Sequence, residues 1–411
     1  MTVASGNGEF EYRCCLELKP WITDERCSKV AHQTDLLLGA YWTMSKKINT
    51  LIVLGAGASI GSRRYPIEGS VQEAFPMMPS SRNFFYDLFK GKAKLGESRR
   101  FLNMLGVMYE GTNWLINQAW GMDKPESGFD PEQWRGINVE EVLSFVDIGS
   151  RMYSRSATYQ KGFSIARSSL IQFIVMMLMT RTDGQHCELL MELFLSLRPR
   201  DSIISFNYDT LADHTLQRVK KSHFRAYANL MSGKFPRVRD YASRGILLKL
   251  HGSVNWRVCT NRQCRYYKRP YIPFTTKKRV LPRIFGGGFG DCLGCGEKRH
   301  ETAIIPPMTE KSLDRHDFFH RLWLIARAQL PRFDRIVFVG YSFPSNDAYS
   351  DWLFRQLRFI DQKRPQIIVV NPEALKSRNP VRQRYVSLFR GFDIDFYGTL
   401  ASFVEGPWRS I

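Results

Sequence analysis

Several kinds of feature are missing from this chain, and each absence narrows its reading. No uninterrupted apolar run reaches the roughly 18 residues that a bilayer crossing needs. The nearest stretch, residues 170–179, is interrupted by Gln172 and followed by Arg181, so a buried core helix is expected there and no membrane contact. The first residues lack the basic-then-apolar order of a secretory leader, which predicts a cytoplasmic protein. Acidic residues are few, 39 against 59 basic ones, and the net charge of +20 suits polyanionic partners such as nucleic acid or phosphate-bearing nucleotides, or simply solubility. Cysteine is sparse: eight in a long cytosolic chain exclude a disulfide framework and leave thiols or a metal. Internal repeats and low-complexity segments are absent. What is present, 411 residues of which 44% are hydrophobic, suffices for a sizeable core in one large domain or two.

Short apolar runs rich in branched residues occupy 51–54, 202–206, 246–250, 335–340 and 366–371, and helical spacing occupies 348–359. Strands alternating with helices predict an α/β fold, a Rossmann-like doubly wound parallel sheet covered on both faces. Residues 80–200 read as an all-helical insertion between the first two strands. Within them Asn138-Val139-Glu140-Glu141 opens a helix with an N-cap residue and acids in its first turn, and 165–180 and 188–197 follow with helical spacing. Residues 1–49 read as an N-terminal extension to a domain spanning 50–411. Met44 is the expected natural start, with 1–43 an upstream leader.

Candidate functional residues cluster just after the strands. Gly55-Ala56-Gly57-Ala58-Ser59 lets backbone approach a pyrophosphate at a helix start, or makes a tight turn with no ligand; Ile60 stands where the usual dinucleotide fingerprint has its third glycine. Asn207 and Asp209 flank Tyr208 past a strand end, where ligands collect in doubly wound sheets; an Asx turn is the alternative for one of them. His251, before Gly252, suits proton abstraction near neutral pH, or is a structural core histidine. Gly340-Tyr341-Ser342 and Asn371 end two further strands. The roles of Asn346 and Asp347 are open.

Cys259-x4-Cys264 and Cys292-x2-Cys295 flank a 27-residue span and can close a tetrahedral zinc site, or are unrelated buried thiols. The expected small zinc module covers 257–300. Residues 257–283 hold nine Lys or Arg and no acid, which offsets thiolate charge or offers a nucleic-acid surface. The loop Gly286-Gly287-Gly288-Phe289-Gly290 precedes the second pair.

The order of these motifs, from Gly55-Ala56-Gly57 through Asn207-Tyr208-Asp209, Leu250-His251-Gly252, the cysteine pairs, Gly340-Tyr341-Ser342 and Asn371, resembles the sirtuin family over roughly residues 50–402. The resemblance implies a sirtuin-like fold with a zinc ribbon and NAD as substrate. Gly55, Ala56, Gly57, Ser59, Gly340, Ser342 and Asn371 would bind it. His251 would act as base, with Asn207 and Asp209 lining the nicotinamide and ribose pocket, and Cys259, Cys264, Cys292 and Cys295 would hold structural Zn2+. Deacylating sirtuins carry a Phe-Gly-Glu segment after the second cysteine pair, where this chain has Ile305-Pro306-Pro307-Met308. That departure and the helical insertion resemble the bacterial sirtuin-like effectors of antiphage defence, which implies NAD+ hydrolysis to nicotinamide and ADP-ribose, restrained by homo-oligomerisation or a regulatory partner. Protein deacylation, ADP-ribosyl transfer, and a non-enzymatic nucleotide or nucleic-acid-binding module are the alternatives.

Overall fold

The computed structural model describes residues 48–61, 84–86, 119–121, 131–153, 157–182, 184–232, 236–273, 291–298, 300–305, 317–344, 347–360 and 364–410. Expectations for residues 1–47, the Gly286–290 loop, Pro306-Pro307-Met308, Asn346 and much of 80–130 fall outside them.

The strands are β1 (Thr50–Leu54), β2 (Ser202–Ser205), β3 (Leu247–Lys249), β4 (Gly252–Cys259), β5 (His300–Ile304), β6 (Arg335–Val339), β7 (Gln366–Val370) and β8 (Ile394–Tyr397). Six of them form one sheet in the order β3-β2-β1-β6-β7-β8, every pair parallel. Without the separate β4–β5 ribbon this is the doubly wound order, and strand progression reverses between β1 and β6. β1 and β6 are buried at every position, as strands covered on both faces must be.

Register matters more than order here. Leu54 pairs with Ser205 and Val339, Ser205 with Lys249, Val339 with Val370, and Val370 with Tyr397. The carboxyl ends therefore stand level, and the loops that follow emerge along one edge of the sheet.

Helices α1 (Ala56–Ile60), α2 (Val139–Met152), α3 (Ala157–Thr182), α4 (Leu211–Arg218), α5 (Asp317–Gln329), α6 (Ala348–Arg355) and α7 (Pro380–Leu388) supply the elements used below. The Asn138 side chain caps α2 by accepting from the Glu140 amide at 2.9 Å. Val139, Val142, Leu143, Val146 and Gly149 recur at helical spacing and face Phe163, Ala166, Leu170 and Phe173 of α3 in a second core. A Cβ on Gly149 would come within 2.5 Å of the Phe163 ring, so this crossing admits only glycine without rearrangement. Tyr208 and Ile304 also pack on this core, tying it to the loop after β2 and to β5.

α3 carries the stretch expected to be a buried core helix, and its Leu170, Phe173, Ile174, Met176, Met177 and Met179 are buried. Its stretch Tyr159–Met179 is long and apolar enough to cross a membrane by length and composition, although no unbroken apolar run exists, because mean hydropathy tolerates single polar residues such as Gln172. In this structure 56% of its most apolar window is buried, chiefly against α2.

Candidate functional site

The crevice at the β1/β6 reversal is built by glycines meeting backbone to backbone. The Gly55 and Gly57 amides donate to the Val339 and Gly340 carbonyls, each at 2.9 Å. A Cβ on Gly57 would lie 2.7 Å from the Gly340 Cα, and one on Gly340, whose φ is +60°, would lie 2.2 Å from the Ala58 nitrogen. Both glycine loops are thus required by each other. That supports the tight-turn reading of Gly55-Ala56-Gly57 and leaves the exposed Ala56 and Gly57 as the parts of the loop open to a ligand.

Next to it, Asn207 donates from Nδ2 to the Gly55 carbonyl at 2.8 Å and to Ser59 Oγ at 3.0 Å. Ser59 in turn donates to Asp209 Oδ2 at 2.6 Å, and Asp209 Oδ1 accepts from the Leu211 amide at 3.0 Å. The carbonyl and carboxylate can only accept, so the direction of every bond is fixed and Asn207 must present Oδ1 away from this network. Asp209 is buried and both its oxygens are engaged. It makes the Asx turn that opens α4 and orients Ser59, so its place is behind the crevice surface.

His251, at the end of β3, is buried among Phe206, Tyr208 and Trp323, with ring centroids at 5.1, 6.0 and 6.2 Å. Its Nε2 lies 3.3 Å from Asp347 Oδ2. The same oxygen accepts from the Tyr341 hydroxyl at 2.7 Å. Gly252 has φ +84° and would bring a Cβ within 2.2 Å of the Ala303 carbonyl, so the turn after His251 is glycine-specific. The Tyr208 hydroxyl donates to the Ile305 carbonyl at 2.7 Å. Burial, then the charges of Asp347 and Glu140, hold this phenol well above the usual range, so it stays a donor.

Lys249 was missed by sequence reasoning. It is fully buried in β3, with Nζ 2.7 Å from Asp213 Oδ2, and donates to Ser253 Oγ at 2.6 Å and to the Asp209 carbonyl. Asp213 Oδ1 accepts from Tyr227 Oη at 2.6 Å, which accepts from Trp256 Nε1 at 2.9 Å. One ammonium therefore braces the loop after β2 against the start of β4. The signal was there: a lysine inside Leu247-Leu248-Lys249-Leu250 demands a buried acceptor.

Ser342 and Asn371 lie further along the edge. Asn371 is buried and its Oδ1 accepts from the Glu373 amide at 3.0 Å, capping the short turn after β7. Ser342 lines a cavity of about 500 Å³ together with Asn138, Glu140, Glu141, Glu373 and Arg384. Glu140 and Glu141 come from the first turn of α2, so the helical core contributes directly to the crevice edge.

The four ordered cysteines converge at the end of the β4–β5 ribbon, which sequence reading missed because β5 is half polar. Their Sγ atoms all lie within 4.8 Å of one another, with Cys259–Cys295 and Cys264–Cys292 at 3.6 Å. A tetrahedron with metal–sulfur bonds of about 2.3 Å has edges of about 3.8 Å, so the group could hold one metal ion. The Tyr266 and Gly294 amides each point at a cysteine sulfur at 3.4 Å. Burial raises the Cys292 thiol, but the Gly294 and Cys295 amides and the neighbouring thiols outweigh it and bring it to about 7, favouring a thiolate ligand.

The basic segment here is partly interior. Arg257 and Arg269 are buried; Arg257 donates to the Val254 and Trp256 carbonyls and to Thr302 Oγ1, and burial lowers it to about 9. Arg262, Arg265 and Lys268 are exposed, and 277–283 lie outside the described residues.

Fold and site together define a doubly wound α/β protein whose strand order reverses between β1 and β6, with a four-cysteine site capable of holding a metal. No protein-family model and no curated protein matches this chain.

Proposed function

We propose that this chain is a sirtuin-like NAD+ hydrolase acting in the cytoplasm, with zinc as a structural metal in its four-cysteine site. The observation that carries the reading is the level row of strand ends, which brings Ser59, Asn207 and His251 to one edge beside the β1/β6 reversal. Those are the residue types the motif order assigns to NAD chemistry.

The reaction breaks the bond between nicotinamide nitrogen and ribose C1′, and the bond pair leaves with nicotinamide. Positive charge develops on the ribose, which a preorganised polar surround stabilises. The Asn207 carbonyl, fixed by its two donated bonds, orients water or the ribose. His251 takes the proton as water oxygen bonds to C1′. The products are nicotinamide, ADP-ribose and a proton. Ser59 and Asp209 hold Asn207 in position. Four cysteines would fill the coordination of a zinc ion, so the metal maintains the ribbon and enters no step.

Incubating the full chain with NAD+ and resolving the products by chromatography tests this. Free ADP-ribose and nicotinamide in equal amounts are expected. Nicotinamide release that requires an acetylated peptide would assign deacylation instead. Label carried from NAD+ onto a macromolecule would assign ADP-ribosyl transfer, and binding without turnover would leave a nucleotide sensor. The resemblance to antiphage effectors also suits a restrained enzyme, held by its oligomeric state or a partner.

A further inference from the structure

We propose that Asp347 is a positioning residue that fixes the tautomer of His251, keeping the proton on Nε2 so that Nδ1 carries the basic lone pair. The inference rests on the hydrolase reading for its kinetic consequence, but the tautomer itself is a property of the resting protein. Three observations carry it. Asp347 Oδ2 lies 3.3 Å from His251 Nε2, and an ionised carboxylate can only accept. Asp347 is 2% exposed, so its charge acts through little solvent. Tyr341 donates to the same Oδ2 at 2.7 Å, and Ser350 Oγ, which itself donates to the Asp347 carbonyl at 2.8 Å, lies 2.7 Å from that phenol.

The fold goes to some length to hold this carboxylate. Gly340 and Phe343 both have left-handed backbone, with φ of +60° and +50°, the second unusual for a residue with a large side chain. Phe343 is kept there by burial among Phe338, Phe354 and Tyr385, and its carbonyl accepts from Arg384. The Tyr385 hydroxyl donates to the Tyr341 carbonyl at 2.8 Å. A strained, multiply anchored loop that ends on a buried carboxylate is the kind of place where backbone strain accompanies function. Burial, then the Asp347 charge, holds the Tyr341 phenol well above its usual range, so it remains a donor.

Groups from three parts of the fold pack against His251. Phe206 and Tyr208 come from the loop after β2, and Trp323 from α5; Tyr341 and Asp347 come from the loop after β6. Lys249, two residues before, is neutralised by Asp213.

The test is nitrogen NMR on the full-length protein labelled at histidine, with the His251 signals assigned by comparison with His251→Gln. The wild type is expected to show Nε2 protonated and Nδ1 unprotonated. In Asp347→Asn the amide can donate to Nε2, so the protonated nitrogen should switch to Nδ1, and nicotinamide release should fall by about a hundredfold or more through kcat with little change in KM. Tyr341→Phe keeps the carboxylate and should keep the wild-type tautomer. A wild-type spectrum with Nδ1 protonated would overturn the proposal, even if Asp347→Asn fails to fold. So would an Asp347→Asn protein with unchanged spectrum and rate. Wild-type protein that releases no nicotinamide would contradict the hydrolase reading while the spectrum still decides the role of Asp347.

Discussion

The two flanks of the β1/β6 reversal bury opposite chemistry. On the β2–β3 flank the interior is polar: Lys249, Asp213, Asp209, Ser253 and Tyr227 are buried and mutually bonded. On the β6–β7 flank it is aromatic: Phe338 lies 4.9–5.5 Å from the rings of Phe343, Phe354, Tyr385 and Phe389. Rings packed this way add stability and hold backbone in place, and the one polar tip among those named, the Tyr385 hydroxyl, is spent on the Tyr341 carbonyl. A satisfied buried polar network gives less net stability yet fixes direction, because each N–H or O–H must point at its own acceptor. The first flank carries Asn207 and His251. The second reaches across through the Asp347 carboxylate beside His251 and through Tyr341, whose ring stacks on Phe206 at 4.5 Å. Stability and orientation are thus supplied chiefly by separate halves of one sheet edge.

Substitutions can break that division or sharpen it. The largest effect is expected from His251→Ala and Asn207→Ala, each lowering NAD+ cleavage by at least about a hundredfold while circular dichroism stays native. Unchanged rates in either would remove that residue from the mechanism. Lys249→Met strands the Asp213 carboxylate in the interior and should destabilise the chain by about 3–5 kcal/mol in urea unfolding. A loss below about 1 kcal/mol would mean the polar flank is not the orienting scaffold described. Cys292→Ala should remove bound metal, measured per chain by elemental analysis, and lower the thermal midpoint; full metal content in that variant would separate the cysteines from the site. Leu388→Met, a volume-conserving change at a buried position of α7 on the aromatic flank, should cost less than about 1.5 kcal/mol and leave the cleavage rate within about twofold. A rate loss as large as that of Asn207→Ala would erase the distinction between the flanks.

The sheet was largely legible in the sequence because its strands are short continuous apolar runs between glycines and polar turns, a pattern that burial on both faces imposes. The α2 start was legible through Asn138 and its two glutamates. The β4–β5 ribbon was not, since His300-Glu301-Thr302-Ala303-Ile304 carries no clear alternation and its pairing shifts register between Gly252 and Arg257. α3 runs well beyond the predicted 165–180, starting at Ala157.

Within the site, the contact of Asn207 with Ser59, and the place of His251 beyond the adjacent strand on the same edge, followed from their positions after strands. What the residue pattern could not separate was surface from support. Asp209 sits one residue beyond Tyr208 and two beyond Asn207, yet the start of α4 turns its carboxylate inward to Ser59 and Leu211. Asn371 likewise caps its own turn. Asp347 was invisible as a partner of His251 because the loop that delivers it depends on left-handed backbone at Phe343, which no local preference favours.

The proposal that this edge cleaves NAD+ through His251 meets its most direct test in nicotinamide release by wild type beside His251→Ala. Stoichiometric nicotinamide and ADP-ribose from wild type, with the variant folded and slower by a hundredfold or more, is the predicted result. Equal release by the two proteins would contradict it.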